Sequence, residues 1–105
     1  MRFRVAAATL ALALGAVGCG PIQSTSLILD ADTQLEAARA ADAPKFAPYE
    51  YTLAEAYLHK AREESGYAQF EASIDFASKA RELAKDARKK AAAASNKASD
   101  QDGAP

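Results

Sequence analysis

The sequence predicts an all-α fold, an antiparallel helical hairpin extended to a three-helix module. Three observations predict it. Alanine supplies 28 of the 105 residues, and no residue favours helix more. From residue 67 to residue 97, small and apolar side chains recur every seven positions with no Gly or Pro between them. Between residues 27 and 97 the helix breakers gather at two places only, 43–48 and 65–66. The chain is 50% hydrophobic and 26% charged with a net charge of −1, enough for one small domain. Alanine buries little apolar area, so the domain should be modestly stable and gain from a partner or a staple. The single cysteine, Cys19, forms no disulfide within the chain.

Residues 1–18 read as an export signal. Arg2 and Arg4 make a cationic start, and Val5 to about Val17 an apolar run. That run is shorter than the roughly 20 residues a membrane-crossing helix needs. Ala16-Val17-Gly18-Cys19 resembles the bacterial lipobox, with Ala16 where leucine is usual. The resemblance implies a lipid on the Cys19 thiol and cleavage between Gly18 and Cys19. The alternative is ordinary cleavage that leaves a free thiol. Gly20, in place of the aspartate that retains such proteins at the inner membrane, implies the periplasmic face of the outer membrane of a Gram-negative cell. Two or more acyl chains make residence in a bilayer stable, where one is marginal.

Residues 19–26, with "GPIQSTS" after the cysteine, read as a lipidated polar tether of about 20 Å when extended. A helical domain is expected over 27–97. Its first helix covers 27–42, with Leu27, Ile28, Leu35 and Ala38 at helical spacing. Asp30, Asp32 and Glu36 come early and Arg39 late, as the helix dipole prefers. Pro44 and Pro48 then break the helix. Pro48 suits the first position of a second helix over 48–65, where its missing N–H costs nothing. Tyr51, Ala54, Leu58 and Ala61 form its main stripe, with Leu53 and Tyr57 beside it. Gly66 is the expected left-handed cap.

The third helix is expected from Tyr67 to Lys97. Phe70, Ala77, Ala84, Ala91 and Ala98 make one heptad series, and Ser73, Ala80, Ala87 and Ala94 the other. Such small residues let helix backbones approach closely. The short break at 65–66 predicts an antiparallel hairpin. The third helix, about 45 Å, outlasts the second, about 27 Å, so its end lies alone in water or against a second copy. Residues 98–105 are polar with Gly and Pro, and disorder is expected. An up-down-up order would send the C-terminus away from the lipid.

"FAPYEYTLAEAYLHKARE" followed by "YAQFEASIDFASKARELAKDARKKA" resembles domain-of-unknown-function family 4398, found in short envelope lipoproteins. The likeness spans roughly 27–95 and rests on Ala47-Pro48-Tyr49-Glu50, Ala54, Leu58, Ala61 and the alanines that follow. Some relatives add an OmpA-like peptidoglycan-binding domain, for which this chain is expected to be too short. The family has no established activity, so the resemblance implies location and shape. "GYAQFEASIDFASKAREL" resembles the second helix of a tetratricopeptide repeat, with small residues at Ser73 and Ala80. Only one copy occurs, and repeat arrays need about three, so a repeat-like hairpin is expected.

Chemistry is sparse. His59, the only histidine, has Glu55, Glu63 and Glu64 nearby. A metal site wants three or four convergent ligands, and a solvated histidine is the simpler reading. No phosphate loop, nucleophile elbow or Cys/His cluster occurs. No enzyme activity, cofactor, metal or nucleic-acid partner is expected. Residues 30–75 hold ten acidic and four basic side chains, whereas 79–97 hold seven basic and two acidic. Lys85, Arg88, Lys89 and Lys90 are therefore candidates for contact with an anionic partner such as cell-wall carboxylates. The simpler reading is a solvated helix end whose cations complement the dipole. The aromatics, from Phe46 to Phe76, are expected to fill the core, with Tyr49 the first candidate for a surface contact. The function expected is a non-catalytic outer-membrane lipoprotein, an adaptor or spacer in the envelope. The alternative is a module that binds peptidoglycan or another anionic envelope polymer through the basic end of the last helix. Membrane, an envelope protein, peptidoglycan and a second copy joined through the last helix are the expected partners.

Overall fold

In a computed structural model the backbone is described for residues 2–103 and the side chains for residues 20–103. These residues form four helices and no strand: α1 (Arg2–Ala40), α2 (Ala43–Phe46), α3 (Pro48–Gly66) and α4 (Phe70–Asp102). The all-α class read from the sequence is the class observed. The molecule is a rod, 85 × 23 × 14 Å along its principal axes.

The helices run up, down and up. Ser24 meets Ser73 and Asp30 meets Arg81, so α1 and α4 lie parallel. Ala61 meets Ser73 and Glu50 meets Lys90, so α3 runs antiparallel to α4. The heptad in α4 is the reason. Ser73, Ala77, Ala80, Ala84, Ala87 and Ala91 are all buried, and they face both neighbours. α3 offers its expected stripe, Tyr51, Ala54, Leu58 and Ala61, all buried. From α1 come Ala31, Leu35 and Ala38. The core is thus a seam of alanines with Leu35, Tyr51 and Leu58 as its bulky members.

Several expectations need correction. Residues 20–26 are no extended tether; they are part of α1. Pro21 has no N–H to give the carbonyl four residues back, but side chains on the following turns are docked, beginning with the fully buried Ser24. With the helix starting so far upstream, Asp30 and Asp32 are not at a helix N-terminus. They reach across to Arg81 at 3.4 Å and Arg62 at 3.0 Å. The tail is helical as far as Asp102, because nothing from Phe70 to Asp102 breaks a helix and Gly103 is the first residue that does. Pro48 does open α3, and Ala47 before it leaves the helical region at φ −141°.

The α3–α4 turn is also displaced. Gly66 closes α3 with ordinary helical geometry, and the left-handed residue is Ala68, at φ 59°. The Gln69 N–H donates to Glu64 O at 2.8 Å and the Ala68 N–H to Ser65 O at 3.1 Å. These two bonds are the Schellman pattern, with Ala68 in the position that favours glycine. α4 therefore begins at Phe70 and not at Tyr67.

The aromatics mostly lie outside the core. Tyr51 alone is buried, Phe46, Tyr57, Phe70 and Phe76 are half-buried, and Tyr49 and Tyr67 stand exposed. A seam of alanines has no room for rings between its backbones.

Candidate functional site

Three places carry the candidate residues: the base of the rod, its basic upper end, and the α3–α4 face. At the base, Gly20 lies beside Phe70; a Cβ built on it would sit 3.4 Å from the Phe70 Cβ. One helical turn later Ser24 enters a buried cluster of hydroxyls. Ser73 Oγ donates to Ala61 O at 2.8 Å. Having spent its proton there, Ser73 accepts from Ser24 Oγ at 2.7 Å. Ser65 Oγ lies 3.4 Å from Ser24 Oγ. The body is thus locked from Gly20 onward. The Cys19 side chain and the Gly18–Cys19 junction lie outside the described side chains.

At the upper end the four candidate cations do not act alike. Lys90 is ion-paired with Glu50, which it holds below the usual carboxylate range by hydrogen bonding. The pairing raises Lys90 in turn. Lys85 is half-buried. Arg88 and Lys89 are exposed and, among the described residues, enter no ion pair within the chain. Of the four candidate cations, these two alone are both exposed and outside any such pair.

His59 stands exposed on α3, and two of the carboxylates near it are engaged elsewhere. Lys60 Nζ lies 3.3 Å from Glu63 and 3.2 Å from Glu64, and their hydrogen bonds raise its pKa, that of Glu64 most. Among the described residues no three His, Cys, Asp or Glu side chains converge on one point. Nor, among the described residues, is any helix long and apolar enough to cross a membrane.

Of the α3–α4 face the sequence marked Tyr49 alone as a surface contact. Tyr49 is exposed at its upper edge, beside Pro48, Thr52 and Leu53. Below it Leu53, Tyr57 and Leu83 line an open groove of about 470 Å³. Tyr57 stacks on Phe76 with ring centres 5.9 Å apart, and Lys79 lies over both rings. The signal was present: Tyr49, Leu53 and Tyr57 at four-residue intervals form a second apolar row, beside the buried one on the same helix.

The fold defines an all-α, three-stemmed helical bundle with a short α2 at its upper bend. No family model matches the chain, and no curated protein or solved structure matches it significantly.

Proposed function

We propose that this chain is a lipid-anchored, non-catalytic lipoprotein of the bacterial outer membrane, facing the periplasm and serving as a helical adaptor or spacer in the envelope. The observation that carries the reading is the opening sequence: Arg2 and Arg4, an apolar run, then Ala16-Val17-Gly18-Cys19. The likeness of residues 27–95 to the envelope lipoproteins of family 4398 belongs to the same proposal. So does the rod itself, whose α1 and α4 run parallel and so send the C-terminal end of α4 away from Gly20. A lipid on Cys19 holds the base of such a rod at the bilayer and presents the other end to the periplasm.

Intact-mass analysis of the N-terminal peptide from the membrane fraction tests this. A mature chain that begins at Cys19 and carries acyl groups is expected, and Cys19→Ser should shift the protein to the soluble fraction. An unmodified thiol on protein released by osmotic shock overturns the proposal.

The polymer-binding alternative is favoured by one observation, the unpaired and exposed Arg88 and Lys89. Peptidoglycan sedimentation tests it. Retention that falls with salt and is lost in Arg88→Gln/Lys89→Gln supports it, since exposed charges are screened beyond about 10 Å at 0.1 M salt.

A further inference from the structure

The face of α3 and α4 beside the α1-covered seam carries an apolar row. Tyr49, Leu53 and Tyr57 succeed one another along α3, with Tyr49 72% exposed. Leu83 closes the groove from α4, and the space continues past Leu53 into a second groove of about 420 Å³ along Tyr49 and Ala56. Besides Glu82 near its middle, two charges mark the α4 side of the groove, Lys79 toward its lower end and Asp86 toward its upper end. Among the described residues neither is in an ion pair within the chain.

We propose that this face binds a second copy of the chain across a two-fold axis that lies in the interface, at right angles to the helices, level with Leu53 and Leu83. Two independent patterns share that centre. On α3, Tyr49 and Tyr57 are placed symmetrically four residues either side of Leu53. On α4, Lys79 and Asp86 stand about 10 Å apart along the helix with their midpoint between Glu82 and Leu83. Leu53 and Leu83 line the same groove, so the two midpoints fall at one level. Rotation about the axis lays α3 antiparallel on α3 and α4 on α4. Each Leu53 meets its counterpart, each Tyr57 meets a Tyr49, and each Lys79 meets an Asp86. A closed two-fold contact requires this kind of self-complementarity. Glu82, nearest the axis, has Arg81 Nε at 3.4 Å to offset repulsion from its counterpart. An axis parallel to the helices would set α3 on α4 and leave Asp86 without a cation, so charge favours the antiparallel arrangement. Aromatic anchors flanked by complementary charge are what protein interfaces use.

Disulfide trapping in cells that express the full-length chain tests the proposal, with Leu53→Cys as the reporter. Mild oxidation should yield a homodimer well above the background set by Cys19 alone and by Thr33→Cys on the exposed side of α1. Lys79→Asp should lower that yield about tenfold, because it opposes like charges at both ends of the contact. Lys79→Asp/Asp86→Lys should restore it to within about twofold, a rescue that a merely structural effect would not give. Three outcomes overturn the proposal: Leu53→Cys trapping no better than Thr33→Cys, a charge swap that fails to rescue, or a trapped product that joins this chain to a different protein.

Discussion

Ala68 holds a backbone conformation that L-residues with a Cβ adopt at a cost of roughly 1–2 kcal/mol. The helix must turn there, because Gln69 and Ala68 are already committed to the carbonyls of Glu64 and Ser65. Ala68→Gly should therefore stabilise the protein by about 1 kcal/mol, less a few tenths for the greater freedom of glycine in the unfolded chain. Thermal melts would register a rise of several degrees. Gly66→Ala should change little, since a Cβ there meets nothing within 4 Å and the backbone is not left-handed. Gly66 was the obvious cap in the sequence, but the turn falls two residues later. Composition marks a turn more reliably than it marks the residue that adopts the strained angle. Ser24 escaped notice for a related reason. A serine among polar neighbours reads as solvated, and only its distant partner Ser73, itself on the buried seam, makes it a core residue. Ser73→Ala should cost about 1–3 kcal/mol in urea unfolding, because it leaves the Ser24 hydroxyl buried with only a long contact to Ser65. Adding Ser24→Ala should return part of that loss.

At the scale of the helix, α4 was the most legible part of the chain. Its buried residues are six consecutive members of the two heptad series read from the sequence. A strict seven-residue period leaves no other face for the seam, whatever the neighbours are. What periodicity does not carry is the size of the gap between helices. Bulky rings were expected inside; the alanines instead close the space and leave the rings at the margins. Ala84, fully buried between α1 and α3, shows the constraint. Ala84→Leu should destabilise by about 1–3 kcal/mol through overpacking, seen as a lower urea midpoint. Between α3 and α4 the exposed Glu50–Lys90 pair acts as a pH-dependent clasp. Lys90 depresses the Glu50 pKa, so the contribution is present above the ordinary glutamate value of about 4.3 and fades as pH falls through the lower, folded-state value. Glu50→Gln should lower the melting temperature slightly at pH 7, and the gap from the unsubstituted protein should close as pH falls below the folded-state value.

Across the whole molecule, protection is unevenly spread. Buried side chains on α4 run from Ser73 to Ala91, and beyond Ala91 none is buried among the described residues. Amide hydrogen exchange should be slowest within that span and approach the rate of an isolated helix past Ala94. This gradient sets apart the two ends on which the functional readings rest, the locked base and the unsupported top. The base also removes the slack that the sequence alone suggested. Gly20 packs beside Phe70 and Ser24 binds Ser73, so no loose leash separates residue 20 from the rigid body. A flexible string of 33 residues would hold its ends about 30 Å apart on average, and that distance would fluctuate. Wound as α4, the same number of residues spans about 50 Å with little variation. The molecule is in effect a gauge, whose reach changes in steps of about 10 Å with each heptad added or removed.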